Sequence, residues 1–260
     1  MSESGRQETG ADIRADARAG FRGLTTGRAS GYMQANIYIL PQSHAAAFTG
    51  FCDCNPAACP LLAVGQPGNP HLYMLGRDID MRCDLPAYHV HDDGLSDRVS
   101  DIRTLWSQDF VTFAIGCWFG AEGALAAAGI RMRHRETGRQ GGLYRTKYSA
   151  RPFGRMHGPL VVSMRPFRKA DVERVCTITS KMPLSHGAPL HVGDPGALGI
   201  DDLTQAEWGE PVLPQDDEVP VFWPCGLTAL TALRNSGLRF FISHAPSSML
   251  VTDLKEDYCQ

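Results

Sequence analysis

The stretch His186-Gly-Ala-Pro-Leu-His-Val-Gly-Asp-Pro195 decides how the rest of this chain is read. Ala188, Leu190 and Val192 alternate with the polar positions, the period of a short strand, and Gly193-Asp194-Pro195 stops it. The design recurs twice downstream. Val219-Pro-Val-Phe-Trp runs into Pro224-Cys225-Gly226, and Leu238-Arg-Phe-Phe-Ile runs into Ser243-His244-Ala-Pro246. In open α/β sheets, ligands bind in the crevice beyond the carboxyl ends of the strands. The pattern therefore predicts a site at three strand ends, carrying His191 with Asp194, Cys225 and His244.

Outward from this stretch, strands and helices alternate. His157-Gly-Pro-Leu-Val-Val-Ser-Met-Arg165 reads as a strand, and Lys169 to Lys181 as a helix burying Val172, Val175, Ile178 and Met182. A helix is expected from Gly226 to Arg234, a strand at 239–243 and a short strand at 249–252. Near the N-terminus, Tyr32 to Leu40 reads as a strand with Tyr32, Gln34, Asn36 and Tyr38 on one face. That face is either open to water or the polar wall of a cleft. His44 to Cys52 is expected to be helical. Ser100-Asp101 caps what looks like the clearest helix, with Ile102, Leu105, Trp106, Phe110 and Phe113 on one stripe. Ala121 to Ala128 predicts another, ended by Gly129, and 131–142 reads as a basic loop. The expected fold class is α/β. A larger domain, 13–62 with 143–260, holds a mixed sheet covered by helices and carries the site. A smaller α+β subdomain, 63–142, is inserted, and a disordered arm, 1–12, precedes a first helix ended by Gly20 and Gly23.

Composition excludes several classes of function. A net charge of −3 leaves no basic excess for nucleic acid. No apolar run approaches the roughly 20 residues that cross a bilayer, so no membrane partner is expected. The N-terminus has no apolar h-region, which predicts a cytoplasmic protein. Eight cysteines without such a segment predict free thiols. The cluster Cys52-Asp-Cys54-Asn-Pro-Ala-Ala-Cys59 lacks the second pair that a structural zinc site wants. Gly23 to Gly31 is glycine-rich but has neither phosphate-cradling pattern. Neither metal nor cofactor is expected.

At a finer grain, Gly23-Leu-Thr-Thr-Gly-Arg-Ala-Ser-Gly-Tyr-Met-Gln-Ala-Asn36 resembles the opening motif of the D-glutamate cyclase family, also known by the provisional name of hydro-lyases. Asn55-Pro-Ala-Ala-Cys-Pro-Leu-Leu62, Tyr144-Arg-Thr146, His157 to Pro166, His186 to Pro195, Val219 to Gly226, and His244-Ala-Pro246 through Val251-Thr-Asp253 match in the same order. The chain departs from the family pattern at Leu24, Thr26 and Ser30, at Gly123 and Lys147, and at Ser247-Ser248, where Gly-His is usual. The resemblance implies a two-part α/β architecture and loss of water from D-glutamate to give 5-oxo-D-proline. A dehydratase of another hydroxy acid and a non-catalytic module that holds a small carboxylate are the alternatives.

Cyclising glutamate requires a neutral amine, an electrophilic γ-carboxylate and an oxygen that leaves as water. A histidine tuned near neutrality can take the amine proton, and fixed donors can hold the oxyanion. The candidate catalytic residues are therefore His191 with Asp194, His244, His157 and Cys225, whose place at a helix start lowers a thiol pKa. Arg145 and Arg165 are candidate carboxylate clamps. Tyr32, Gln34, Asn36, Glu122, Gly226 and Asp253 complete the expected substrate-binding set. The expected partner is a small-molecule carboxylate, and the expected assembly a homodimer or higher homo-oligomer.

Overall fold

The computed structural model describes residues 7–256. In chain order its elements begin with α1 (Gly10–Arg18), β1 (Tyr32–Pro41), α2 (Gln42–Cys54), β2 (Leu61–Val64), β3 (Tyr88–Asp92) and β4 (Leu95–Val99). Next come β5 (Phe110–Gly116), α3 (Glu122–Ala127), α4 (Arg133–Glu136), β6 (Gly141–Ser149), β7 (Pro159–Arg168) and α5 (Val172–Ser180). The last are β8 (His191–Val192), β9 (Trp208–Glu210), β10 (Glu218–Pro224), α6 (Leu227–Asn235), β11 (Phe240–His244) and β12 (Leu250–Lys255).

The expected mixture of strands and helices holds, but it is organised by two antiparallel sheets. One runs β2-β5-β1-β11-β3-β4, with β12 also paired to β1; the other runs β8-β10-β7-β6-β9. Every ladder among the described residues is antiparallel. No common carboxyl edge therefore exists for a crevice to form along, and the strand-end argument for the site does not apply.

β1 is the spine of the first sheet. Its alternation sends Tyr38 and Leu40 into a core with Phe48, Phe51, Phe113 and Leu233. Ala35, Ile37 and Ile39 enter a second core with Leu85, Tyr88 and Ile242 on the other face. Both faces are covered, so the water-facing alternative for its polar residues fails: Gln34 and Asn36 are buried. In the second sheet, Phe167, Val221 and Trp223 pack on Val175 of α5, while Tyr144, Met164 and Phe222 fill the opposite face.

Three sequence expectations are corrected. The stripe from Ile102 to Phe113 is not one helix: Arg103–Leu105 forms a short 3-10 turn, and Phe110–Gly116 is the strand β5. Val111, Thr112, Phe113 and Ile115 suit a strand buried on both sides, and their apolar spacing mimicked a helix because neither face is polar. That strand lies between β2 and β1, and β3 pairs with β11. Residues 63–142 thus supply strands to the same sheet as β1, and the sheets do not follow the expected insertion boundaries. Finally, helix α1 begins at Gly10, inside the expected arm, because Thr9 and Asp12 form a reciprocal capping box. The rest of that arm, 1–6, lies outside the described residues.

Two histidines are part of the framework. β11 pairs with β1 at Tyr38 and Ile39, and β12 takes over at Ala35. At the fork, the Ile37 N–H donates to His244 Nδ1 at 3.2 Å, so an imidazole fills a vacant rung of the ladder. His186 closes the Pro183–Ser185 turn in a left-handed conformation, its Nδ1 2.8 Å from the Ala57 carbonyl. Burial pulls both pKa values down to about 4, outweighing the Ala57 and Ile37 carbonyls, which favour the charged rings. The unfolded chain then binds more protons between pH 4 and 6.5, so this stability is complete above about 6.5 and is lost as pH falls. Each shift is worth about 3 kcal/mol at full extent. Glu256, raised by burial to about 7, works in the opposite direction between 7 and 4.5. His91, which burial also lowers to about 4, acts in the same sense as the two framework rings. Three histidines outweigh one carboxyl, and unfolding free energy should fall by on the order of 3 kcal/mol from pH 7 to pH 5. Denaturant titrations at the two values check this, and equal midpoints would refute the buried neutral rings.

The junction between β5 and the Pro183–Ser185 turn is equally specific. A Cβ at Gly116 would lie 1.8 Å from the Leu184 carbonyl oxygen, a backbone atom that cannot swing away. Gly116→Ala should therefore cost roughly 1–3 kcal/mol by overpacking, read as a lower urea midpoint; an unchanged midpoint would show that the turn moves freely.

Candidate active site

The two sheets meet at a cleft with a cavity of about 230 Å³. From the first sheet come Asn36, Tyr38, His89, Ser243 and His244; from the second come Leu143, Ser163, Arg165, Trp208 and Gly209. Cys117, Trp118 and Phe119 enter after β5, His186 from its turn, and Cys225, Leu227, Leu230 and Arg234 from the start and face of α6. Among the described residues, no Asp or Glu lines it.

Arg165 dominates its chemistry. β7 alternates, with Val162 and Met164 facing one core and Ser163 and Arg165 the other side. Arg165 is only 2% exposed, its guanidinium 4.9 Å from the Trp118 ring centre and 5.6 Å from that of Phe119. Nη1 donates to the Met164 carbonyl at 2.9 Å, and Nε has no partner. No carboxylate forms an ion pair with it among the described residues. Burial holds its pKa below the ordinary arginine value, with the charge of Glu122 acting the other way from a distance. Two more buried groups beside it, Ser163 Oγ and Trp118 Nε1, also lack partners among the described residues. Gly141 makes room for the guanidinium: a Cβ there would lie 2.4 Å from Nη1.

Apart from Arg234, the other cleft groups are neutral at pH 7. Burial pushes the Cys117 thiol up to about 12 and also raises Cys225, despite a Leu227 N–H that acts to lower it. The helix start therefore does not make Cys225 a thiolate. Asn36 commits Nδ2 to the Gly116 carbonyl at 3.0 Å.

The sequence-predicted residues divide sharply. Asn36, Arg165, Cys225 and His244 line the cleft, and the Gly226 carbonyl, which accepts from Tyr38 at 2.9 Å, adjoins it. His191 and Asp194 do not reach it. His191 sits on the edge strand β8, bonded through Nε2 to the Asp194 main-chain oxygen at 2.7 Å, and the Asp194 carboxylate caps Gly196 N–H. The aspartate orients a turn, not an imidazole. His157 is exposed in an open surface groove with Thr146 and Tyr148. Arg145 is exposed and stacks over Trp208 from outside, 5.2 Å from its ring centre. Tyr32, Gln34 and Glu122 line a separate crevice of about 10 Å³, room for no more than a water. Glu122 is bonded there to His134 at 2.6 Å. Asp253 pairs with Arg14 at 2.7 Å and ties α1 to β12.

Sequence reasoning missed His186, Ser163, Trp118, Gln140 and Arg234. His186 stood in the opening stretch, and the His-Gly pair after a Pro-initiated turn was a signal for a strained, left-handed position. Ser163 shares the parity of Arg165 on β7 and was legible from that alternation. Trp118 and Gln140 reach the cleft from connecting segments that no local pattern reveals, and Arg234 from the last turn of α6.

Among the described residues, no helix is long and apolar enough to cross a membrane. Comparison with known proteins adds the chemistry's lineage. A protein from Paraburkholderia phymatum, provisionally described as a hydro-lyase, is 53% identical over 90% of this chain and 91% of its own. Proteins of the same description from Pseudomonas aeruginosa, 50% identical over 91% and 89%, and Burkholderia cenocepacia, 49% over 95% and 96%, are similar. Residues 111–253 match the family model described as D-glutamate cyclase. That segment contains Arg165, His186, Cys225 and His244, and with relatives at half identity along nearly the whole chain, the protein belongs to the D-glutamate cyclase family.

Proposed function

We propose that this protein is a hydro-lyase that cyclises D-glutamate to 5-oxo-D-proline, releasing water in the cleft between the two sheets. The observation that carries this reading is Arg165, a buried cation with no carboxylate in contact, in a cleft lined, among the described residues, by two arginines and no acid. An isolated buried charge costs several kcal/mol, and an incoming carboxylate removes that cost. The unpartnered Ser163 hydroxyl and Trp118 indole sit where further acceptors would satisfy them. A substrate with two carboxylates suits a deep Arg165 and an exposed Arg234. Trp118, Phe119, Leu143 and Trp208 line the same space, and a water-poor cleft strengthens each charge interaction made inside it. The D-glutamate assignment comes from the family; the cleft supports a small dicarboxylate.

NMR detection of 5-oxo-D-proline from D-glutamate, with L-glutamate alongside, tests the reaction. Absence of turnover on both would sink the cyclase assignment. Replacing Arg165 has a distinctive expected outcome. Arg165→Met removes an unpaired buried charge, so the free protein should become more stable, read as a higher Tm. The same change should lower kcat/KM by about 10²-fold or more through loss of a charged hydrogen bond. A variant that loses stability and activity together would make Arg165 a structural residue.

A further inference from the structure

We propose that His186 is the proton-transfer residue of this site and His244 its fixed hydrogen-bond donor, a division of labour set by opposite imidazole tautomers. The proposal rests on the cyclase reading above. Both rings line the same cleft, and each is fixed through Nδ1 by a backbone group of opposite kind. The Ala57 carbonyl can only accept, so His186 Nδ1, 2.8 Å away, carries the proton and Nε2 keeps its lone pair. The Ile37 N–H can only donate, so His244 Nδ1, 3.2 Å away, is the acceptor and Nε2 carries the proton. The Ile37 carbonyl lies farther from that nitrogen, at 3.4 Å. No protein hydrogen bond engages either Nε2 among the described residues. The cleft therefore holds one imidazole that accepts and one that donates, both kept neutral by burial.

This pairing fits the proton balance of the reaction. As glutamate closes, the amine nitrogen forms a bond to the γ-carbon, a C–O bond breaks, and two protons pass from nitrogen to the departing oxygen. His186 Nε2 takes the first proton from the ammonium group, freeing the lone pair for attack, and delivers it to a γ-oxygen. It then moves the second in the same way, and water leaves. The negative charge of bound substrate raises the proton affinity of a ring that is a weak base in the empty cleft. His244 loses no proton. Its Nε2–H, immobilised by the ladder bond to Ile37, holds the γ-oxygen as charge builds on it, the role of an oxyanion donor.

The test combines spectra with two conservative variants. At pH 7, imidazole 1H–15N correlations of the whole protein should show His186 as the Nδ1–H tautomer and His244 as the Nε2–H tautomer. Adding 5-oxo-D-proline should shift both Nε2 signals. Two rings in the same tautomer, a charged ring at pH 7, or bound 5-oxo-D-proline that shifts neither signal would overturn the assignment. His186→Asn keeps a donor for Ala57 and tolerates the left-handed backbone. It should lower kcat by about 10²–10⁴-fold while 5-oxo-D-proline still binds. His244→Asn keeps an acceptor for Ile37 and should lower kcat by about 10²–10³-fold. Wild-type turnover by His186→Asn would also overturn the assignment. If the wild-type protein leaves D-glutamate unchanged, the cyclase reading fails on its own, and the spectra still decide the tautomers.

Discussion

A buried guanidinium with no carboxylate in contact among the described residues is the constraint on which this structure turns. Arg165 lies on the central strand of the second sheet, against Trp118 and Phe119, with one of its nitrogens bonded to its neighbour's carbonyl. Such a placement is unfavourable unless the fold as a whole is stable enough to impose it. Here the cores that flank the two sheets hold the cleft walls: Trp118, which meets the guanidinium, packs with Trp223 in one, and Tyr38, elsewhere on the cleft wall, packs with Phe113 in another. The cost is concentrated at the cleft, where a ligand can relieve it. Strain of this kind, supported by well-packed surroundings, marks a site built for binding.

The cleft also shows how backbone geometry sets side-chain chemistry. The first sheet changes partners along β1, from β11 to β12, and the unfilled rung at Ile37 receives the His244 ring. In the second sheet a side chain likewise takes a strand N–H, that of Val161 donating to Thr228 Oγ at 3.0 Å, while the turn that leads toward β8 presents His186 to Ala57. Neither imidazole is placed by another side chain. Both are positioned by main-chain groups, which are rigid where side-chain carboxylates are adjustable, and both are buried deeply enough to stay neutral.

Much of this was legible in the sequence, and the failures have a common cause. β1, β7, β10 and α5 followed from alternation and periodicity, and Asn36, Arg165, Cys225 and His244, picked out by strand parity or strand ends, lie together along the cleft. His191 and Asp194 misled because a reactive pair at a strand end carries no information on which sheet the strand joins; β8 is two residues long and lies at an edge. For the same reason the first sheet crosses the boundaries expected for an insertion at 63–142. Texture changes along the chain reflect local composition, whereas β5 enters beside β1 because its β-branched and aromatic residues complete a buried face contributed by distant segments. Protonation state was the least accessible property. The predicted thiolate character of Cys225 considered the helix start alone, and burial, which depends on the second sheet, outweighed it.

The central claim is that a substrate carboxylate completes Arg165. A crystal structure of the protein with 5-oxo-D-proline tests it most directly. The account predicts the ligand between the two sheets, its carboxylate within hydrogen-bond distance of the Arg165 guanidinium and its ring near His186 and His244. A ligand carboxylate bound instead at Arg145 and His191, or in the groove beside His157, with Arg165 still unpaired, would contradict it.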